Sequence, residues 1–256
     1  MVALGGVGMS AQMLYRTTQA TFDRQFQAYA KQPLVERQVA YFRETAPQKL
    51  TVDEFLDDWQ LRQFLLQSFG LEELQNSRAL VERILTDDLD SEDALVWRMN
   101  DPRFVRMAST LRFDQGMGKL QFPNVVDDIV QRFRTNGFEA QVGDQNIAVR
   151  QAMYFKRRAP EIQNMYQILG DRALRDVVVT AAGLPPETAR IDVDKQAKLL
   201  EKSLDLKKLK DPAYMEKYIQ GYLARVDAQS GPSAAQAGIL QLFQPAGGGL
   251  SINLLV

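Results

Sequence analysis

Residues Arg37 to Leu71 read RQVAYFRETAPQKLTVDEFLDDWQLRQFLLQSFGL, and 113 positions later Arg150 to Leu184 read RQAMYFKRRAPEIQNMYQILGDRALRDVVVTAAGL. The two stretches align without a gap and share 12 of 35 positions: Arg37/Arg150, Gln38/Gln151, Tyr41/Tyr154, Phe42/Phe155, Ala46/Ala159, Pro47/Pro160, Leu56/Leu169, Asp58/Asp171, Leu61/Leu174, Arg62/Arg175, Gly70/Gly183 and Leu71/Leu184. Ordinary composition gives roughly two such identities by chance. A second landmark follows each stretch, Asp101-Pro102 in the first half and Asp211-Pro212 in the second, now 110 residues apart. The reading that follows is an internal repeat.

Both copies carry helical spacing. After Asp58, apolar residues fall at Leu61, Leu65 and Phe69 before Gly70; after Asp171 they fall at Leu174, Val178 and Ala182 before Gly183. A step of three or four residues puts them on one face of a helix about three turns long. Asp58 and Asp171 suit the N-cap, where a short carboxylate accepts from a free amide, and Gly70 and Gly183 suit the left-handed residue that ends a helix. Leu71 and Leu184 then fold back over the last turn. Asp101 and Asp211 each precede a proline at the first helical position, where the missing N–H costs no bond. Phe104, Val105, Ala108 and Leu111 form one inner face, and Tyr214, Met215, Tyr218 and Tyr222 the other. Further helices are predicted over Ser77 to Thr86, Ser91 to Met99 and Asp194 to Ser203. Val125-Val126 and Val177-Val178-Val179 sit inside helical spacing, so no strand is predicted.

The expected fold is therefore all-α, a multi-helix bundle of two quasi-equivalent repeats around one core. The expected divisions are a partly flexible N-terminal segment over 1–25, repeat 1 over 26–113, a connecting loop and helix over 114–137, repeat 2 over 138–228, and a flexible tail with an apolar end over 229–256. The aromatic stripe Tyr41, Phe42, Phe55, Trp59, Phe64 and Phe69 reads as core.

Composition removes much ordinary chemistry. The 256 residues include no histidine and no cysteine, so the usual zinc ligands, disulfides, thiol nucleophiles and a side chain titrating near neutrality are all absent. With 31 basic and 32 acidic residues the net charge of −1 supplies no field for nucleic acid or anionic lipid. No nucleic-acid partner and no membrane insertion are expected. The basic residues at Arg150, Lys156, Arg157 and Arg158, and from Lys195 to Lys210, are interrupted by acids and read as solvent-facing helix surface. The acidic run Asp87 to Asp93 fails as a calcium loop started at Asp88, because Asp93 stands where glycine is needed and Met99 where a bidentate glutamate is needed. It reads as a helix junction, and no metal site is assigned. Gly116-Met117-Gly118-Lys119 lacks the spacing of a phosphate loop, and Gly5-Gly6-Val7-Gly8 reads as a flexible terminus. No catalytic residue and no cofactor are assigned. Met1 to Ser10 does not read as a secretory signal, so the cytoplasm is the expected compartment, with export to the flagellum without a cleaved signal as the other route.

In order, Arg37-Gln38, Tyr41-Phe42, Phe55-Leu56, Phe69-Gly70-Leu71, Asp101-Pro102-Arg103-Phe104, Arg150 to Pro160, Ile168-Leu169-Gly170-Asp171, Ala182-Gly183-Leu184-Pro185, Asp192 to Gln196 and Asp211-Pro212 resemble an alphaproteobacterial family known as domain of unknown function twelve-seventeen. The resemblance spans about residues 12 to 228. It implies a helical bundle, and because the family's genes are often found among flagellar genes it implies a role in building or regulating the flagellum. No catalytic residue carries over. The chain departs from the family pattern at Trp59-Gln60 and in its tail from Ser230. The functional expectation is a non-enzymatic accessory, assembly or regulatory protein that binds a protein partner, a flagellar component, either along the seam between the halves or through Leu240, Leu242, Phe243 and Leu254. Two alternatives stay open: an exported structural component of the flagellum, and an enzyme or small-ligand binder with its pocket at the seam. A polar cavity lined by Arg37, Arg150 or the paired aspartates is the sign of the latter. The oligomeric state is not assigned.

Overall fold

The computed structural model describes residues 9–99 and 101–230. Within them lie fourteen α-helices and no strand. The first half carries α1 (Ala11–Ala20), α2 (Phe22–Ala30), α3 (Pro33–Thr45), α4 (Val52–Asp57), α5 (Trp59–Phe69), α6 (Arg78–Thr86), α7 (Leu95–Arg98) and α8 (Pro102–Leu111). The second carries α9 (Pro123–Gly143), α10 (Ile147–Arg158), α11 (Met165–Gly170), α12 (Arg172–Ala182), α13 (Val193–Glu201) and α14 (Pro212–Gln229).

Local geometry recurs at the 113-residue spacing. Asp58 accepts from the Gln60 and Leu61 amides at 3.1 and 3.2 Å, and Asp171 from Ala173 and Leu174 at 3.0 and 3.3 Å. The Tyr41 hydroxyl donates to Asp58 at 2.7 Å, and the Tyr154 hydroxyl to Asp171 at 2.6 Å, tying α3 to α5 and α10 to α12. Gly70 and Gly183 take φ of 69° and 68°. Behind them the Leu71 amide reaches the Leu66 carbonyl and the Leu184 amide the Val179 carbonyl, the longer bond of a Schellman cap. Arg62 donates to the Leu56 carbonyl and Arg175 to that of Leu169. Pro47 and Pro160 each lie in a 3-10 turn, Ala46–Gln48 and Ala159–Glu161, that closes the preceding helix.

Upstream of the matching stretch the helices of the two halves differ. Adding 113 to α1 and α2 gives 124–133 and 135–143, both inside α9. The break between α1 and α2 falls at Thr21, whose hydroxyl bonds back to the Thr17 carbonyl at 2.7 Å, an arrangement that bends helices. Arg134 holds that place in α9, and the helix runs on. These leading helices cross over: α9 lies along α5 of the first half, and α1 lies on α10 and α14 of the second. Asp227 of α14 accepts from the first amides of α1, at 2.6 Å from Ala11 and 3.1 Å from Gln12. Tyr15 of α1 is fully buried, its hydroxyl donating to Glu216 of α14 at 3.2 Å.

One contiguous apolar cluster runs through both halves. At its centre Phe64 of α5 stacks between Phe42 of α3 and Phe133 of α9, with centroid separations of 4.2 and 3.9 Å. Val177 replaces Phe64 in the second half, and there Phe155 stacks on Tyr218 of α14 at 5.6 Å.

Four expectations change. Trp59 and Tyr41 are not core: they are 58% and 36% exposed. The helix expected over Ser91 to Met99 is the single turn Leu95–Arg98, because Asp87, Asp88 and Ser91 accept from backbone amides of the junction itself and hold it in turns. Arg158, expected at the solvent surface, is 7% exposed and pairs with Glu161 at 2.7 Å. The loop expected over Asp114 to Pro123 is two 3-10 turns, Phe113–Gln115 and Met117–Gln121. Leu240, Leu242, Phe243, Leu254 and the Gly5 to Gly8 stretch lie outside the described residues.

Candidate functional site

The seam between the halves is polar and internally paired. Arg103, two residues after the α8 cap, donates to both carboxylate oxygens of Asp101, to the Gly70 carbonyl, and pairs with Glu73 at 2.8 Å. Burial works against its charge; the Asp101 bonds and the charges of Asp101, Glu73 and Asp171 outweigh that and raise its pKa. Across the seam Asp171 is 1% exposed, and burial raises its carboxyl above the usual range despite the Tyr154 bond and the nearby Arg103 charge. Burial likewise pushes the Tyr154 hydroxyl well up.

A second chain of contacts ties α10 to α5 through α9. Arg157 forks onto Glu139 with two bonds of 2.8 Å and donates to Asn136 at 2.6 Å. Asn136 passes the link on, donating to the Gln67 and Ser68 carbonyls at 3.0 and 2.7 Å near the C-terminal end of α5. The guanidinium of Arg157 also lies 5.3 Å from the Tyr154 ring centroid. Arg150 reaches Glu72 at 3.5 Å.

A cleft of about 360 Å³ opens beside this network, with Trp97, Asp101 and Val105 on one wall and Arg158, Ile162, Asn164, Tyr166 and Gln167 on the other. Arg106 also lines it, and most of its other polar groups are committed to local structure. Asp101 and Asn164 cap helices, Gln167 accepts from the Gln163 amide at 2.8 Å, and the Tyr166 hydroxyl donates to Asp194 at 2.7 Å. Neither Arg37 nor Arg150 lines it, and of the paired aspartates Asp101 does. Asp211 caps α14 through the Ala213 amide at 2.9 Å, an exposed position away from the cleft.

Arg37 lies elsewhere, on a groove of about 300 Å³ between α3 and α5, with Leu34, Gln38, Tyr41, Trp59, Gln60, Gln63 and Phe64. Leu34 and Trp59 are 59% and 58% exposed on its rims. The sequence reading missed this groove because it placed the aromatic stripe in the core. The signal was there: Trp59 follows the cap Asp58 and stands two positions before the first inward residue, Leu61, which turns it about 200° away on the helix.

Asp88, Asp90 and Asp114 bring carboxylate oxygens together near the α6–α7 junction. Arg112 sits among them, pairing with Asp90 at 3.0 Å and Asp114 at 2.9 Å, and so supplies the positive charge itself. No helix among the described residues is long and apolar enough to cross a membrane.

A family model described as "Protein of unknown function (DUF1217)" matches residues 68–215. The crystal structure of a structural-genomics target from Agrobacterium tumefaciens is 29% identical, superposes with a TM-score of 0.77, and covers 87% of this chain and 96% of its own. No curated protein matches the chain.

Proposed function

The chain belongs to the DUF1217 family, and from that premise we propose that it is a non-enzymatic accessory, assembly or regulatory protein of the bacterial flagellar system, acting in the cytoplasm through helical surface recognition of a protein partner. The flagellar setting comes from the family resemblance. Surface recognition rests on one observation: the Arg103–Asp101 and Arg157–Glu139 networks of the seam are paired internally, while large apolar side chains stand exposed along the α3–α5 groove. An active site instead holds a nucleophile or base with free access to substrate. Asp171 and Tyr154, whose acidities burial weakens, bond to each other, and Asp171 is 1% exposed.

The test is deletion of the gene in the organism that encodes it. Loss of swimming, or filaments of altered number or length, is the expected outcome. Normal swimming with normal filaments removes the flagellar assignment.

A further inference from the structure

Most of the residues identical between the halves do the same work twice: Asp58 and Asp171 cap, Gly70 and Gly183 terminate, Tyr41 and Tyr154 tie helix to cap, Arg62 and Arg175 bind a carbonyl. Arg37 and Gln38 do not. In the second half Arg150 pairs with Glu72, and Gln151 accepts from the Tyr222 hydroxyl at 2.7 Å while donating to Asp176 at 3.2 Å. In the first half the Arg37 and Gln38 side chains are exposed and have no hydrogen bond or ion pair among the described residues.

The difference lies in what covers the helix pair. Tyr222 belongs to α14, which runs along α10 and α12. Its positional counterpart, α8, ends at Leu111, and Arg112 takes a left-handed conformation with φ of 48° that turns the chain away. At the 110-residue offset of the Asp-Pro landmarks, Arg112 stands where α14 has Tyr222. The part of α14 that engages Gln151 thus has no equivalent in α8, and Gln38 is left bare. Leu34, Arg37, Trp59 and Gln63 are exposed along the same groove, although α14 does not account for all of them: at the matching places of the second half Ile147 is 59% exposed and the Arg172 side chain 85%.

We propose that the α3–α5 groove is a docking site for an amphipathic helix of a partner protein, which meets Gln38 as Tyr222 of α14 meets Gln151 and reaches past the footprint of α14 onto Leu34 and Trp59. The helix carries an aromatic hydroxyl for Gln38, a carboxylate for Arg37, and apolar residues one turn apart to cover Leu34 and Trp59. The carboxylate follows from charge: Arg150 has Glu72, and Arg37 has no such neighbour among the described residues. This inference rests on the surface-recognition reading above and names the partner's chemistry.

The experiment places a photo-crosslinking benzoylphenylalanine in the full chain at Leu34 or Trp59, and as controls at Leu50 or Phe122, which are 79% and 55% exposed away from the groove. Crosslinking is done in living flagellated cells and the joined peptides are sequenced. Positions 34 and 59 should join one helical segment bearing a tyrosine and acidic residues, and the two controls should not. Arg37→Glu should lower the yield about tenfold, and replacing the partner's carboxylate with lysine should restore it. Unchanged helical circular dichroism of Arg37→Glu separates this from misfolding. No crosslink at 34 or 59, a basic or non-helical segment, a second copy of this chain, or indifference to Arg37→Glu each overturns the proposal. An acidic helix from a protein outside the flagellum upholds the groove and removes the flagellar assignment.

Discussion

The Asp58 and Asp171 carboxylates make the same bonds and titrate in opposite directions. Around Asp58 burial alone would raise the pKa, but the Tyr41 hydroxyl, the Leu61 amide and Lys49 outweigh it and hold the carboxyl below its usual range. Asp171 is buried more deeply, and there burial wins. A depressed native pKa contributes stability that is present above the unfolded value of about 3.9 and lost as pH falls through the native one. A raised native pKa contributes stability that is present below about 3.9 and lost as pH rises toward the native value. Asparagine still caps in both places. Asp58→Asn is therefore expected to flatten the acid-side loss of stability, and Asp171→Asn to remove an opposing decline as pH rises. Urea unfolding between about pH 3 and pH 7 reads both slopes; equal slopes for the two variants would contradict the assignment. With alanine, Asp171 should cost more than Asp58, because the cap loss of about 1 kcal/mol is joined by about 1–3 kcal/mol for the buried Tyr154 hydroxyl left without an acceptor.

These capping residues were legible because a cap is a local device: Asp, three turns of spaced apolar residues, then Gly needs no knowledge of the rest of the chain. Gly70→Ala and Gly183→Ala are expected to cost about 1 kcal/mol each, since the price is the left-handed backbone and an added Cβ meets nothing within 4 Å at Gly70 and only Arg225, at 3.5 Å or beyond, at Gly183. Thermal unfolding of the two variants checks the near-equality. Trp59 was misplaced because its aromatic character was read as burial, although its place two residues before Leu61 turns it outward.

At the scale of elements, α14 and α9 decide how the halves differ. Tyr222→Phe removes the hydroxyl that reaches Gln151 and should lower stability by about 0.5–1.5 kcal/mol, measured by urea unfolding. Gly137 of α9 faces Tyr29 of α2 so closely that an added Cβ would lie 2.0 Å from the Tyr29 hydroxyl. Gly137→Ala is expected to force α2 off α9 and destabilise by about 1–3 kcal/mol, although alanine favours a helix interior. A stabilised variant would show that the α2–α9 contact is looser than described. Spacing marked α6 and α13 well, because each is a single amphipathic helix with its own start. The α6–α7 junction was misread as helix, since its aspartates compete for backbone amides and spacing alone does not record that competition.

For the whole molecule, the all-α class followed from periodicity, while the crossing of leading helices did not. That α1 rests on the second half and α9 on the first depends on contacts far apart in sequence, 216 residues between Asp227 and Ala11 and 69 between Asn136 and Gln67. The seam was equally hidden: Arg103, Arg157, Glu139 and Asn136 are unremarkable in sequence and become a network only when α5, α8, α9 and α10 meet. Arg103→Ala leaves Asp101 and Asp171 close together without their shared cation, and is expected to cost about 3–5 kcal/mol in thermal or urea unfolding. A small loss would mean the two halves are held by their apolar cluster alone. The central claim is that this scaffold works by offering the α3–α5 groove to a partner. Its most direct measurement is swimming of the gene-deletion strain carrying Trp59→Asp or Leu50→Asp on a plasmid, each confirmed folded. The account predicts that Leu50→Asp restores swimming as wild type does and Trp59→Asp does not; equal restoration by both would contradict it.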